Sequence, residues 1–165
     1  MKIFTVLDSI QISELKKEIS QCSWKDGKLS AEGGAKSIKR NSEINSADPN
    51  FKNILKKIIN VLEKSNVKAY TYMRDLINPM VSKYSNGDFY DWHVDVALLA
   101  NRRTDLSFTL FLNDYSDYSG GELEIEVNNQ KYQIKGKAGD IIIYPSGLKH
   151  RVNNITNGER LVIVG

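Results

Sequence analysis

The sequence predicts a mostly β chain with N-terminal helices, folded as a double-stranded β-helix (a jelly roll) backed by two α-helices. Three observations predict it. A helical apolar stripe runs from Phe51 to Leu62. From Lys68 onward the apolar period changes to two, in short segments at regular spacing. Between those segments stand pairs with turn chemistry: Asn78-Pro79, Asn86-Gly87, Gly120-Gly121, Asn128-Asn129, Ala138-Gly139 and Asn157-Gly158. Many short strands need a closed or doubled sheet, and helices in front of them can cover one face. A length of 165 residues suits one domain with a sizeable core. Residues 1–66 form its helical support and residues 67–165 its jelly-roll core.

The first strand is expected over Lys2–Leu7. A helix follows over Ser13–Cys22, with Leu15, Ile19 and Cys22 on one side. Residues 24–48 read as loop, because Trp24, Gly27, Gly33, Gly34 and several Ser and Asn residues break any period. The second helix is the clearest element. Asp48 can cap it and Pro49 suits its first turn. Phe51, Ile54, Leu55, Ile58, Ile59 and Leu62 then recur at helical spacing, a stripe wide enough to pack across a sheet. Strands are expected over residues 68–77, 80–85, 90–96, 106–112, 121–127, 131–135, 140–144, 149–154 and 160–164.

Composition narrows the function classes. Apolar residues make up 41% and charged residues 26%, as in ordinary globular chains. No apolar run approaches the roughly 20 residues of a membrane helix. The N-terminus carries Asp8 and no small-residue cleavage site, so a cytoplasmic location is expected. The single cysteine, Cys22, excludes an internal disulfide and a thiolate-rich metal site. It reads as a buried structural thiol. Net charge is +3, and the lysines are scattered. They read as solvated faces rather than a nucleic-acid surface. Arg102, Arg103, Lys149 and Arg151 form one local basic cluster around the residues considered next.

The chain has two histidines, in His93-Val94-Asp95 and Lys149-His150-Arg151. On a strand, residues two apart project to the same face. His93 and Asp95 therefore aim an imidazole and a carboxylate into one volume, while Val94 packs the other way. Adding a distant histidine gives two nitrogens and one oxygen on one side of a metal, with three positions open. That is the facial triad of non-haem iron(II) oxygenases. By itself His-x-Asp is a common pair, and His93 could equally be a core histidine satisfied by Asp95. Arg160, just after a turn, could be a surface ion-pair partner, and Tyr84 a core aromatic.

Four stretches decide between these. Asn78-Pro79-Met80-Val81-Ser82-Lys83-Tyr84 precedes Gly87, Tyr90 and His93-Val94-Asp95. The second stretch is Arg103-Thr104-Asp105-Leu106-Ser107-Phe108-Thr109-Leu110-Phe111-Leu112, and the third is Tyr118-Ser119-Gly120-Gly121-Glu122-Leu123. The fourth is Ala138-Gly139-Asp140, then Tyr144-Pro145-Ser146, His150, Val152, Gly158 and Arg160. Trp24, Gly27, Lys39 and Asn41 add a fainter echo. Together they make the chain resemble the prolyl 4-hydroxylase-like branch of the 2-oxoglutarate/Fe(II) dioxygenases, and within it the bacterial and phage PKHD-type hydroxylases.

The resemblance implies that His93, Asp95 and His150 bind Fe(II). It implies that Arg160 holds the distal carboxylate of 2-oxoglutarate, with Tyr84 and Thr109 adding polar contacts. A buried guanidinium can give a carboxylate two parallel charge-assisted bonds. Thr109, Leu123 and Val152 would line the pocket. O2 is the other co-substrate and ascorbate an accessory reductant. The reaction implied is hydroxylation of an unactivated C–H bond, with release of succinate and CO2. The substrate implied is a prolyl residue of a peptide or protein, and the basic cluster could favour an acidic peptide or equally a phosphate backbone. The same chemistry on a free amino acid or a nucleobase, or a binding module that keeps the metal site, are the alternatives. No membrane or nucleic-acid partner is expected, and the location implied is the cytoplasm of a bacterium or phage-infected host. Two departures stand out. Many relatives carry a co-substrate tyrosine where this chain has Phe111, and they continue past Gly165 with an aromatic-containing tail. Near the ligands, Tyr144 reads as core, Trp92 as substrate-facing and Tyr90 as either. Gly120-Gly121 reads as a tight turn, being too short for a phosphate cradle.

Overall fold

The computed structural model describes residues 1–31 and 33–165. In chain order the elements are β1 (Lys2–Thr5), α1 (Ser9–Ile19), β2 (Trp24–Asp26), β3 (Lys39–Arg40), β4 (Ser42–Ile44), α2 (Pro49–Lys64), α3 (Asn66–Thr71), β5 (Met80–Tyr84), β6 (Phe89–His93), β7 (Leu98–Leu99), β8 (Arg102–Arg103), β9 (Leu106–Phe111), β10 (Tyr118–Gly120), β11 (Leu123–Val127), β12 (Gln130–Ile134), β13 (Asp140–Pro145), β14 (His150–Val152), β15 (Ile155–Gly158) and β16 (Arg160–Val164). A seven-stranded sheet has the order β1-β13-β9-β16-β5-β4-β2, and a five-stranded sheet the order β12-β11-β14-β6-β3. Two small ribbons, β10-β15 and β7-β8, complete the set. Neighbours run antiparallel throughout, in a double-stranded β-helix.

Strand alternation builds two apolar bodies. On the seven-stranded sheet Val81, Phe108, Leu110, Ile141, Ile143, Leu161 and Ile163 face one way, onto Leu15 and Ile19 of α1 and Ile54, Ile58 and Leu62 of α2. Tyr84, Phe111, Ile142, Tyr144 and Val162 face the other way, between the two sheets, and meet Leu123, Ile125 and Val152. The period of two thus gives one helix-facing side and one chamber-facing side. Arg160 and Thr109 fall on the chamber side, two residues from Val162 and Phe111 respectively.

The structure revises several boundaries. Helix α1 starts four residues before the expected Ser13, because Asp8 and Gln11 form a capping box: the Gln11 amide donates to Asp8 Oδ1 at 2.8 Å and the Asp8 amide to Gln11 Oε1 at 2.9 Å. Cys22 lies past the helix yet is buried. Residues 24–48 contain β2, β3 and β4, strands too short for alternation to be read. Residues 68–77 are not a strand. Ser65 caps α3 by accepting from the Val67 amide, and Tyr72 ends it in the left-handed region at φ 51°. Alternating Lys68, Tyr70 and Tyr72 imitate a strand there. Within the α2 stripe, Ile59 is 37% exposed, so the packed face is narrower than the sequence indicates.

Gly120-Gly121 does turn tightly, with φ of 73° and 66°. A Cβ on Gly121 would lie 2.2 Å from Ile155 Cδ1 and 3.3 Å from Arg160 Cδ. Left-handed backbone and a closed space act together there. Gly121→Ala should therefore destabilise the fold by roughly 2–3 kcal/mol in urea unfolding. A change below about 0.5 kcal/mol, the level of an ordinary surface substitution, would contradict this.

Candidate metal centre and its chamber

His93 and His150 stand opposite each other across the β6–β14 pairing. The same pairing matches Val152 to Tyr90, so Asp91 and Trp92 together oppose Arg151 alone. This is a β-bulge, and it turns both Tyr90 and His93 toward the chamber although they are three residues apart. Their rings stack with centroids 3.6 Å apart and an angle of 13°. Trp92 goes to the outer face instead, with the Arg151 guanidinium carbon 4.8 Å from its ring centroid and Lys131 and Lys149 nearby. The expectation of a substrate-facing Trp92 is therefore corrected, and the bulge is the reason.

Asp95 follows the end of β6 rather than lying in a strand. Its amide donates to the Ser146 carbonyl at 3.2 Å. Its Oδ2 accepts from Ser107 Oγ at 2.6 Å, and Ser107 Oγ is 3.0 Å from Ser146 Oγ. Its carboxylate faces both imidazoles: His93 Nε2 is 3.8 Å from Oδ1 and His150 Nε2 is 3.7 Å from Oδ2. One donor atom from each of the three residues lies within 4.8 Å of the others.

The protonation pattern suits a cation. His93 Nδ1 lies 2.7 Å from the Asp91 carbonyl, and His150 Nδ1 lies 2.9 Å from the Leu148 carbonyl. A carbonyl there fixes the proton on Nδ1 and leaves the Nε2 lone pair free. Burial, then the neighbouring His150 charge, lowers the His93 pKa to about 4. A free histidine binds its proton near 6.5, so the unfolded chain takes up this proton first as pH falls. The stability that neutral His93 contributes is intact above pH 6.5 and is lost as pH falls through about 4. Metal-free wild type should thus lose up to about 3 kcal/mol more than a His93→Asn variant over that window in urea unfolding. Parallel pH profiles for the two proteins would contradict this.

Arg160 lies deeper. It is 1% exposed, and Nε, Nη1 and Nη2 all lack a hydrogen-bond partner among the described residues. Its guanidinium carbon is 5.2 Å from the Tyr84 ring centroid and 5.6 Å from that of Phe111. Two aromatic faces temper a buried cation but do not replace an anion. Arg160, Tyr84, Thr109, Leu123 and Val152 line the same cavity of about 1020 Å³ as the histidines and Asp95. Tyr144 lines it too, edge-on to His150 at 5.1 Å. Tyr144 is buried, as a core residue is, yet it faces the chamber. Burial first, then the Asp95 charge, raises its pKa, so its phenol stays a donor. Burial does the same for Tyr84, and sets Tyr90 at about 12.

The basic cluster separates. Arg102 and Arg103 line the cavity but are ion-paired with Asp75 and Asp105. Lys149 and Arg151 belong to the outer face around Trp92, where Arg151 also pairs with Glu124 at 3.1 Å. Both cavity arginines pair with their carboxylates through exposed side chains. Sequence reasoning missed Ser107 as the partner of Asp95. Its signal was present: Ser107 and Thr109 are polar residues on the inner side of an otherwise apolar strand.

A double-stranded β-helix with two histidines and a carboxylate converging at one chamber defines a class, the mononuclear-metal enzymes of this fold. The chain belongs to the 2OG-Fe(II) oxygenase superfamily, whose family model matches residues 79–165. It is 36% identical to a PKHD-type hydroxylase of Prochlorococcus marinus over 99% of this chain and 75% of that one. It is 40% identical to a PKHD-type hydroxylase of a Synechococcus strain over 97% of this chain and 74% of that one. Among solved structures it superposes on a Pseudomonas putida prolyl-4-hydroxylase with a TM-score of 0.69 at 18% identity, covering 99% of this chain and 89% of that one. A Trichoplax adhaerens prolyl hydroxylase, solved with a hypoxia inducible factor peptide fragment, gives 0.70 at 18%, covering 99% and 80%. The protein is accordingly an oxidoreductase that uses Fe(II), 2-oxoglutarate and O2. No helix among the described residues is long and apolar enough to cross a membrane.

Proposed function

We propose that His93, Asp95 and His150 hold Fe(II), that Arg160 with Tyr84 and Thr109 receives 2-oxoglutarate, and that the enzyme hydroxylates a prolyl residue of a peptide or protein. The observation that carries this is Arg160: a guanidinium 1% exposed with three unpartnered nitrogens, lining the chamber that the metal donors enter. Burying an unpaired charge is costly, and a dicarboxylate is the complement that removes the cost. The donor set of two neutral imidazoles and one carboxylate fits Fe(II) and leaves open positions.

Bound together, Fe(II), 2-oxoglutarate and O2 would supply the oxidising step: one oxygen atom would enter succinate as CO2 leaves, and the other would become the hydroxyl on the substrate carbon. The chain does the rest. The two carbonyl-held imidazoles present Nε2 lone pairs, and Ser107 fixes the rotation of the Asp95 carboxylate. Tyr84 and Tyr144 offer phenol donors that do not ionise at neutral pH. Leu123 and Val152 supply apolar wall. Phe111 contributes no hydroxyl, so Arg160, Tyr84, Thr109 and Tyr144 carry the polar contacts to the co-substrate.

The prolyl assignment is supported by the PKHD-type relatives and by the fold shared with prolyl hydroxylases. A library of proline-containing peptides, incubated with enzyme, Fe(II) and 2-oxoglutarate, should yield members that gain the mass of one oxygen atom on proline. Steady succinate release with no modified peptide would move the substrate to another class.

A further inference from the structure

One buried charged pair lines the chamber and is used by neither the metal donors nor Arg160. Lys39 is 4% exposed and Glu43 is 1% exposed. Lys39 Nζ donates to Glu43 Oε1 at 2.7 Å and to Ser30 Oγ at 2.8 Å. Its ammonium lies 5.0 Å from the ring centroid of Tyr90, the residue stacked on His93. Lys39 pairs with Tyr90 in the five-stranded sheet, and Glu43 pairs with Ser82 in the seven-stranded sheet. The pair therefore bridges the two sheets beside the metal donors. Glu43 Oε2 has no hydrogen-bond partner among the described residues, although it is buried. A carboxylate oxygen in that state calls for a donor.

We propose that Glu43 Oε2 is the recognition point for the substrate, accepting a neutral N–H donor, a backbone amide of the peptide. This rests on the peptide reading above. Charge selects a neutral donor over an amine. Lys39 balances Glu43, while Arg160 and Fe(II) together balance Asp95 and dianionic 2-oxoglutarate. An ammonium group would add one buried charge with no counterpart. Ala31 and Ala35 line the same cavity as the pair.

Glu43→Gln inverts one feature only. Gln keeps an oxygen for Lys39 and turns the unpartnered position into a donor. The test measures binding of blocked prolyl peptides to oxygen-free enzyme loaded with Fe(II) and 2-oxoglutarate, with each peptide amide N-methylated in turn. In wild type, methylating one amide should weaken binding by about 10-fold or more. Glu43→Gln should weaken the parent peptide by a similar factor and make that same methylation nearly neutral. Methylation effects identical in the two proteins would overturn the proposal and leave the pair a staple between sheets. The wild-type scan needs no variant, so absence of any sensitive amide overturns it even if Glu43→Gln fails to fold. A loaded enzyme that releases succinate but binds none of the peptides overturns the peptide reading itself, and this proposal with it.

Discussion

Asp95→Ala should abolish iron-dependent release of succinate, with turnover falling by at least about 100-fold, because even the outer partners of metal ligands are worth 10–100-fold. Among the described residues, Asp95 supplies the only anion facing His93 and His150, across 3.8 and 3.7 Å. Without it two neutral imidazoles remain, too few donors to hold Fe(II) against water. The fold should survive, since the Asp95 side chain is 36% exposed and its hydrogen-bond partner Ser107 retains Ser146. The check is paired: iron content after dialysis and succinate release, alongside a melting curve. Unchanged turnover would remove Asp95 from the metal centre. Lost turnover with lost folding would be a stability effect, which Asp95→Asn, of the same shape, separates.

Arg160→Met should have two effects of opposite sign. Affinity for 2-oxoglutarate should fall by about 30-fold or more, the 2–5 kcal/mol typical of truncating one partner of a buried charge pair. The ligand-free protein should keep its stability or gain about 1–3 kcal/mol, because an uncompensated buried cation is replaced by an apolar chain of similar length. Two aromatic rings already flank Arg160, and in the variant they would pack against the introduced thioether. Wild type should also gain about 2.7 kcal/mol from 2-oxoglutarate at 100 times its dissociation constant, and the variant far less. Thermal melts with and without 2-oxoglutarate read both effects. A variant that loses stability and keeps its 2-oxoglutarate affinity would make Arg160 structural.

The jelly roll was legible because its strands alternate. Phe108, Leu110, Ile141 and Ile143 face the helices, while Thr109, Phe111, Ile142 and Tyr144 face the chamber, and both sets are plain in a period of two. His93, Asp95 and His150 were legible as a set, and the structure brings their donor atoms within 4.8 Å. What was hidden depends on single residues out of register. The bulge at Asp91 and Trp92 breaks the period by one residue, which sends Trp92 outward and Tyr90 inward. Residues 68–77 alternate yet form α3 and irregular chain, because Ser65 caps a helix that tertiary packing keeps. The Lys39–Glu43 pair was invisible for another reason. It joins strands of two and three residues, and nothing local marks Glu43 as buried.

The central claim is that the three donors and Arg160 serve one chamber, with metal and co-substrate bound together. Its most direct test is calorimetric titration of 2-oxoglutarate into oxygen-free protein, with and without Fe(II). One 2-oxoglutarate should bind per chain, more tightly with iron, and iron should in turn bind more tightly with 2-oxoglutarate by the same factor. Asp95→Ala should remove that coupling. Equal 2-oxoglutarate affinity in the presence and absence of iron would contradict the account.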